Sequence, residues 1–411
     1  MSYNKEELEK AFNKELFLIK NDLYYQQYEL VRNGDVSYLR VDISYQPYDI
    51  LSGDTYSLRK TKDGRLVGFI ADAMGKGISA AMSGMAITRF LNYFFDDLEE
   101  EGDFKFQVWI SKMLRFVQRN LHDEEIMCIA LVEFDIKHGL LHYASCGMPA
   151  LLIQMQNDEI HSIKSNNPPL GCYTDNVDIK SLVSTQMKKM LCYTDGLSES
   201  FTHDNEPYAF KLTEDFVQAN CSTDFRQRVK RTLGKGDDDL TYVYIEKVNR
   251  STSFKTLFIP STYEAVDDAL ACISEYFKEN AMGVKCLSEL VLTFSELLLN
   301  ALEHGSFGVD KARKNYLIEH DAFDEEMVQL ERVHQDKMIR VEYGILQSGE
   351  HQLFEAVICD EGDGFDTKIL KDLVINPQSV NGRGFMIIKK LLDHFYFNEK
   401  GNSITIQKFV S

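Results

Sequence analysis

The 411-residue sequence lacks any stretch that approaches 18 apolar residues, and its first ten residues, MSYNKEELEK, contain no apolar signal core. These absences argue against a membrane-spanning helix and a secretory leader, so we expect a cytoplasmic location. Basic residues are also too few to balance the acidic ones: the chain has 45 Lys and Arg and 64 Asp and Glu, which gives a formal net charge of −19. Such a chain is a poor non-specific ligand for nucleic acid or for an anionic membrane.

Closely spaced cysteines are absent as well. The eight cysteines are scattered, and no two have the spacing of a metal-ligand or redox motif. We interpret them as small core residues in a reducing compartment. What is present is a globular composition, 44% hydrophobic and 27% charged, in a chain too long for one ordinary core. Two domains and additional segments are therefore expected.

The N-terminal residues 5–32 carry apolar side chains at spacings of three, four and seven. This pattern predicts one helix face that ends near Asn33-Gly34. The helix either packs on its own domain or forms a paired, coiled-coil-like connector that would join two copies into a homodimer. We assign residues 1–37 to this helical connector.

The rest of the chain changes pattern at the polar stretch KVNRSTS, residues 247–253. Before it, strands alternate with turn signals and two long helices; after it, the order of elements differs. We therefore predict domains at 38–248 and 254–411. The predicted helices are 78–96, 104–120, 263–279, 283–304 and 384–394, and the predicted strands of the second domain are 254–259, 338–346, 353–359 and 403–409.

Aspartates stand at the ends of several predicted strands. Asp63-Gly64 is a two-residue hairpin signal, and with that loop Asp54 lies opposite position 73 and beside Asp72. Cross-strand carboxylates ~5 Å apart repel each other. The pair therefore indicates a bound cation, unless it is a frayed polar strand end.

Two more strand ends have similar settings: Asp195 in LCYTDGLSE, and one of the three aspartates in the run GDDDLT, which could equally be a solvated acidic turn. Carboxylates without a His or Cys partner make an all-oxygen site, which suits Mg²⁺ or Mn²⁺ rather than Zn²⁺. The segment ADAMGKG is not a phosphate-binding loop, because Ile70 stands where that motif needs its first glycine.

The motifs SGD, ADAMGKGISAAM, YTDGLSE and DDxT, in this order, resemble the SpoIIE/RsbU branch of the metal-dependent PPM protein serine phosphatases over residues 40–246. The resemblance implies an αββα sandwich and metal-assisted hydrolysis without a covalent enzyme intermediate. It also implies the metal-site roles: Asp72 as bridging ligand of two Mn²⁺ or Mg²⁺ ions beside the Ala73 carbonyl, Asp195 and Asp238 as further ligands, and Asp54 as the outer carboxylate. Met148 stands where relatives often carry a histidine, which affects substrate fit rather than metal binding.

A second group of polar residues lies in SELLLNALEHG, residues 295–305, a helix so apolar that we expect it to be buried. Glu296, Asn300 and His304 recur every four residues and so share one face, either as a site or as a polar seam between helices. Glycines follow in VICDEGDGFD, after Asp360, and in NGRGF. Glycines at a helix start let backbone N–H groups reach phosphate oxygens.

These segments resemble the three nucleotide-binding boxes of the GHKL (Bergerat) α/β sandwich, and within it the RsbW-type anti-sigma-factor serine kinases, over residues 254–411. The resemblance implies an ATP site with Mg²⁺, in which Asn300 binds the metal, Glu296 is the general base and Asp360 accepts the adenine amino group. The remaining nucleotide-binding residues that it implies are His304, Gly362, Gly364, Gly382 and Gly384.

Together the two resemblances predict an α+β, two-domain partner-switching regulator. Its phosphatase would remove phosphate from a serine of a STAS-type anti-sigma-factor antagonist, and its kinase would phosphorylate a STAS-type protein. A sigma factor or an upstream sensor is a further candidate partner. In the alternative, the GHKL domain only binds ATP or a sigma factor. A histidine kinase is disfavoured, because His122 lies between phosphatase motifs without the expected nearby proline. The charged run 308–340 is read as a solvated helical insertion or a partner-docking segment.

Overall fold

The structure is a computed structural model that describes residues 19, 26–32, 35–48, 51–75, 77–102, 104–234, 238–249, 254–280, 282–348, 351–367 and 388–410. The chain divides into two compact units, one ending at Val248 and one beginning at Asn249, and the second unit also takes in residues 26–29. Within the described residues, no helix combines the length and the apolar character that crossing a bilayer requires.

The first unit contains two sheets with helices packed on each. Its strands are the end of β1 (Gln26–Arg32, of which residues 26–29 belong to the second unit), β2 (Asp35–Gln46), β3 (Asp54–Lys60), β4 (Leu66–Ala73), β5 (Met127–Asp135), β6 (Leu140–Cys146), β7 (Leu151–Met155), β8 (Ile160–Ile163), β9 (Lys180–Val183), β10 (Met187–Tyr193) and β11 (Leu240–Asn249). Its helices are α1 (Ile78–Glu100), α2 (Phe106–Asn120), α3 (Asp195–Glu199), α4 (Ala209–Gln218) and α5 (Ser222–Thr232). One sheet has the order β3-β4-β5-β6-β9, and the other contains β2-β11-β10-β7-β8.

Strand β4 shows why this unit is a four-layer sandwich. Alternate side chains of a strand point to opposite faces of its sheet. Val67 and Phe69 belong to the core formed with α1 and α2, and Leu66 and Ile70, on the other face, are buried as well. A strand buried on both faces is covered by a layer on each side. Helices α4 and α5 pack on the second sheet, where Phe225 stacks on Tyr244 at 5.4 Å. The predicted αββα architecture is confirmed.

A buried polar seam fixes helix α1 along strand β3. Two residues of a strand rise ~6.7 Å and four residues of a helix ~6 Å, so positions spaced two apart on β3 meet positions spaced four apart on α1. The contacts are Thr55–Thr88 (2.6 Å between hydroxyl oxygens), Ser57–Asn92 (2.6 Å from hydroxyl to amide oxygen) and Arg59–Asp96 (2.7 Å). This seam sets the start of α1 beside the strand end that carries Asp54.

The hairpin between β3 and β4 differs from the two-residue loop that the sequence predicts. Thr61 and Arg65 are still bonded across the hairpin, so the loop has three residues, and its last one, Gly64, has φ +91°. A type I turn followed by a left-handed glycine is a common three-residue hairpin loop. The longer loop shifts the register by one, and Asp54 lies directly opposite Asp72 rather than opposite position 73.

The second unit is an antiparallel sheet covered by helices. Its strands are β12 (Lys255–Pro260), β13 (Met338–Ser348), β14 (His351–Cys359), β15 (His394–Asn398) and β16 (Ser403–Val410), and its helices are α6 (Tyr263–Glu279), α7 (Val284–Asn300), a π-helical turn (Ala301–Ser306), α8 (Lys311–Glu319) and α9 (Phe323–His334). The strand order is β12-β13-β14-β16-β15. Phe354 of β14 packs against Phe277 of α6 and Phe294 of α7, with ring centroids 5.1 and 6.0 Å apart.

The predicted N-terminal helix is wrong where the structure describes it. Residues 26–32 form β1, which pairs in parallel with β15 (Gln26 opposite Phe397), and β2 already begins at Asp35. The dipeptide Asn33-Gly34 therefore lies between two strands, where it is a hairpin signal rather than a helix end. Except for Ile19, the first 25 residues of the predicted connector lie outside the described residues, and their pairing into a homodimer stays a prediction.

Candidate functional sites

The first candidate site lies at one end of the β3–β4 hairpin. Asp54 and Asp72 are cross-strand partners, and Cys128 of β5 is the partner of Asp72 on its other side. Direct partners point to the same face of a sheet. Even-numbered positions of β4 point away from α1 and α2, so this row of side chains faces the second sheet.

Asp54 is the most buried member of the row, with 2% of its surface exposed. The Thr194 hydroxyl, at the end of β10, donates a 2.7 Å hydrogen bond to its Oδ2. Burial, and then the charge of Asp72, raise the pKa of Asp54 well above its ordinary value, although the bond from Thr194 lowers it. A carboxylate in this position is costly unless a positive charge is near it.

Asp72 is the member on which the other carboxylates converge. Burial and the charge of Asp195 raise the pKa of the Asp72 carboxyl to about 7. Asp238 and Asp239 add further repulsion. Asp195 opens helix α3 and is exposed, whereas Asp238 is half-buried before β11. Carboxylates from two other segments of the chain therefore act on the Asp72 carboxyl.

The consecutive aspartates of GDDDLT make different contacts. Asp239 accepts two backbone N–H bonds of 2.7 Å, from Tyr48 and from Gly53, so it holds the loop that leads to Asp54. Asp238 accepts a 2.9 Å bond from the N–H of Asp239 and lies within electrostatic range of Asp72. Asp237 lies outside the described residues.

The donor set fits a hard divalent cation. Asp54, Asp72, Asp195 and Asp238 offer only carboxylate oxygens, and their mutual repulsion is what a cation would offset. In the part of the chain that the structure describes, no three acidic, His or Cys side chains already converge as a metal cluster. Asp72 nevertheless lies directly opposite Asp54 and within electrostatic range of Asp195 and Asp238, with Ala73 beside it.

Cys128 does not supply a nucleophile to this site. Burial, followed by the charges of Asp72 and Asp195, raises the pKa of its thiol to about 11. The thiol is therefore protonated near neutral pH, and only a thiolate attacks efficiently.

Gly196 is the glycine on which this site depends. A Cβ built on it would lie 1.9 Å from the carbonyl oxygen of Asp239, a distance that no side chain tolerates. We expect Gly196→Ala to displace the Asp238–Asp239 segment and to lower phosphatase turnover at least ~10-fold, a conservative figure because ~1 Å misplacements can cost ~10². Turnover of a phosphoserine substrate measures the effect.

The matched control for this variant is Gly102→Ala, a loop glycine whose added Cβ meets nothing within 4 Å, although its φ of +77° costs some stability. Equal turnover of the Gly196→Ala protein and the wild type would contradict the close approach.

The second candidate site begins on helix α7. Glu296 and Asn300 are half-buried and four residues apart, so they lie on one face. Within the part of the chain that the structure describes, neither side chain makes a hydrogen bond or an ion pair. Two such groups without a partner are available to a ligand, which argues against the alternative of a satisfied polar seam.

His304 follows on the π-helical turn rather than on a regular helix. The N–H of Phe307 bonds to the carbonyl of Leu302, 2.9 Å away and five residues back. π-helical turns inside helices are often found at functional sites. His304 itself is exposed, and its Nδ1 contacts the carbonyl oxygen of Val309.

The Asp360 loop packs directly against this turn. A Cβ on Gly305 would lie 2.4 Å from Cγ of Asp360, and one on Gly362 would lie 2.4 Å from the carbonyl oxygen of Gly305. Asp360 accepts a 2.8 Å bond from the N–H of Gly362; burial raises the pKa of its carboxyl, and this bond lowers it. Gly364 has φ +75°, and a Cβ built on it would lie 1.9 Å from the carbonyl oxygen of Lys400. Backbone atoms therefore exclude a side chain at Gly362 and Gly364, and the Asp360 side chain excludes one at Gly305.

Two of the predicted nucleotide-binding residues, Gly382 and Gly384, lie outside the described residues. Two residues of the sites were not predicted from the sequence: Thr194, which directly precedes Asp195 in the YTDG motif, and Glu303, which is buried between the predicted residues Asn300 and His304.

The sandwich with its strand-end carboxylates is a PPM-type phosphatase fold, and the second unit is a GHKL-like ATP-binding fold. Residues 62–247 match the family model of Stage II sporulation protein E (SpoIIE), and residues 259–408 match that of the Histidine kinase-like ATPase domain. Residues 62–247 therefore match a SpoIIE-type domain and residues 259–408 a histidine kinase-like ATPase domain, as the motifs predicted, and the narrower RsbW-type assignment stays a prediction.

Among curated proteins, the chain is similar to phosphoserine phosphatase RsbP of Bacillus subtilis strain 168, with 28% identity over 204 residues, 47% of each protein. The chain thus spans about half the length of this relative. Among solved structures, the RsbU and RsbW domains of Rv1364c from Mycobacterium tuberculosis align at 17% identity over 93% of this chain and 96% of that one, with a TM-score of 0.45. The SiaA-PP2C domain of Pseudomonas aeruginosa aligns at 15% identity over 59% and 96%, with a TM-score of 0.47.

Proposed function

We propose that the chain is a bifunctional partner-switching regulator. Its first domain hydrolyses a phosphoserine on a STAS-type anti-sigma-factor antagonist, and its second domain phosphorylates a serine of a STAS-type protein with ATP. The observation that carries the proposal is the direct cross-strand pairing of Asp54 and Asp72, with Asp195 and Asp238 close enough to raise the pKa of Asp72.

Two Mn²⁺ or Mg²⁺ ions would be held by Asp72, Asp195 and Asp238 with the Ala73 carbonyl, and Asp54 would be the outer carboxylate. Such ions neutralise phosphoryl oxygens and make water acidic enough to act as a nucleophile near neutral pH. The chain's own residues position the ligands: Thr194 orients Asp54, and Asp239 fixes the loop before it. The raised pKa of the Cys128 thiol supports hydrolysis without a cysteine intermediate.

The second site would bind Mg-ATP. Asn300 offers an amide oxygen to the metal, Asp360 an acceptor to the adenine amino group, and Glu296 a base to the acceptor hydroxyl. Phosphoryl transfer depends mainly on positioning and charge stabilisation, which a rigid helix face provides. The free Glu296 side chain favours a kinase over a module that only binds ATP or a sigma factor.

The phosphoserine substrate class is supported by the name of the RsbP relative, and the partner-switching role by the pairing of the two domains in one chain. A STAS-type substrate follows from the resemblance to the SpoIIE/RsbU and RsbW families. Since the comparison with RsbP covers about half of that protein, the upstream partner and the cytoplasmic location belong to the proposal as well.

The test is incubation of the full chain with STAS proteins from the same genome, each in phosphorylated and unphosphorylated form. We expect loss of one phosphoryl mass with Mn²⁺ and gain of one with Mg-ATP, read by intact mass spectrometry. If a phosphoryl mass is lost with Mn²⁺ but none is gained with Mg-ATP, the second domain is a binding module rather than a kinase. Full hydrolysis in excess chelator would remove the metal-dependent assignment.

A further inference from the structure

The charged insertion 308–340 is anchored to the π-helical turn by one ion pair. Lys314 of α8 contacts the carboxylate of Glu303, which has 5% of its surface exposed. Leu317 of α8 and Met327 of α9 are buried in the core of the second unit. The predicted helices of the insertion are present, but the insertion is not wholly solvated, because one side of each helix is packed on the domain.

Glu303 is the centre of a small buried network. The Tyr263 hydroxyl, at the start of α6, donates a 3.1 Å hydrogen bond to its Oε1, while Lys314 occupies Oε2. Glu331 of α9 accepts a 2.7 Å bond from the N–H of Tyr263. Helix α8 thus contacts the carboxylate directly, and α9 contacts Tyr263, the residue whose hydroxyl bonds to it. A buried carboxylate that loses its cation is left uncompensated, which is strongly unfavourable.

The π-helical turn connects the Glu303–Lys314 pair to the predicted nucleotide-binding residues. It begins directly after Asn300, and Gly305 at its far side packs against the Asp360 carboxyl. At its end, Lys337 donates a 2.7 Å bond to the carbonyl of Ser306. The turn therefore sets the distance between Asn300 and Asp360. The insertion contacts this turn through Lys314, at Glu303, and through Lys337, at the carbonyl of Ser306.

We propose that the insertion is a positioning element of the nucleotide site and that it acts through the Glu303–Lys314 pair. Glu303 and Lys314 touch neither nucleotide nor substrate in this scheme; they keep the turn in the geometry that Asn300 and Asp360 need. The proposal rests on the proposed ATP site, and it assigns a role to a segment that would otherwise be a surface appendage.

The test measures Mg-ATP affinity of the full chain by calorimetry. We expect Lys314→Met to weaken binding roughly 10-fold, the size of effect that supporting partners have on metal sites. Lys314→Arg, which restores the charge, should return the affinity to within about twofold of the wild type, a rescue that simple loss of packing would not show. Phosphatase turnover should be unchanged in both variants.

The matched control is Arg313→Met, one residue earlier, which breaks the Arg313–Glu326 pair inside the insertion and leaves Glu303 paired. Its affinity should equal that of the wild type. If the wild type binds Mg-ATP and Lys314→Met binds it equally tightly, the inference is overturned and the proposed ATP site stands. If the wild type binds no ATP, the proposed site and the inference are both overturned.

A measurement on the wild type covers the case in which Lys314→Met does not fold. Mg-ATP should slow amide hydrogen exchange in Lys311–Glu319 as well as in the π-helical turn, because the two are coupled. Protection of the turn with no change in α8 would overturn the inference.

Discussion

Asp72→Asn is expected to lower phosphoserine hydrolysis by about 10³-fold or more, while ATP binding stays at the wild-type level. The substitution keeps the size of the side chain and removes the charge on which the other carboxylates converge. Charge stabilisation by a bound metal is worth several kcal/mol, and each ~1.4 kcal/mol is a factor of ten in rate. Turnover of a phosphorylated partner protein in Mn²⁺ measures the loss.

The matched control is Asp63→Asn, the same chemical change at the other end of the same hairpin. Asp63 is exposed and pairs with Arg65 at 2.9 Å, roughly 20 Å from Asp72 along the strand. It should leave turnover unchanged. An Asp72→Asn protein that retains full turnover would contradict the assignment of the carboxylate centre.

Thermal unfolding separates loss of metal binding from loss of fold in this variant. Excess Mn²⁺ should raise the unfolding midpoint of the wild type, because a ligand that binds the folded state stabilises it. The midpoint of Asp72→Asn should not respond to Mn²⁺. Without metal, the variant should be at least as stable as the wild type, since Asn removes a carboxylate that is repelled by Asp195 and Asp54.

The placement of Asp54, Asp72 and Asp195 at strand ends could be predicted from the sequence, because each stands in a short motif, and their role as metal ligands stays a prediction. The residue that lies directly opposite Asp54 could not be predicted. Asp63-Gly64 reads equally as a two-residue loop or as the end of a three-residue loop, and the choice moves Asp54 by one position. Likewise, the motif shows that Gly196 follows Asp195, but only the fold shows the Asp239 carbonyl that excludes a side chain there.

Long-range contacts account for the other differences. The apolar spacing of residues 5–32 favoured a helix, yet residues 26–32 form a strand whose Gln26 and Gln27 pair with β15, nearly the whole chain away. Glu303 is one charged residue in the apolar segment 295–305, and the partners of its carboxylate, Tyr263 and Lys314, are not connected to it by any motif. Local patterns carry no information about such partners.

Glu296→Ala is expected to retain Mg-ATP binding and to lose most phosphorylation of the STAS partner, by about 10²–10⁴-fold, the usual contribution of a general base. Asn300→Ala, one helical turn later, should lose Mg-ATP binding as well, because its amide oxygen would contact the metal-bound nucleotide, whereas Glu296 would act only on the acceptor hydroxyl. Calorimetry with Mg-ATP and intact mass of the partner measure the two effects separately. Phosphatase turnover should be unchanged in both variants.

Glu289→Ala is the matched control, since it removes a carboxylate from the same helix two turns earlier. Glu289 pairs with Lys408 at 2.8 Å on the outside of the domain, so its loss should leave phosphorylation intact. The split between binding and transfer is what distinguishes a kinase from a binding module. If the wild type binds ATP but phosphorylates no STAS protein, and Glu296→Ala changes nothing, the kinase assignment fails. The free carboxylate at Glu296 would then serve the recognition of a bound partner instead.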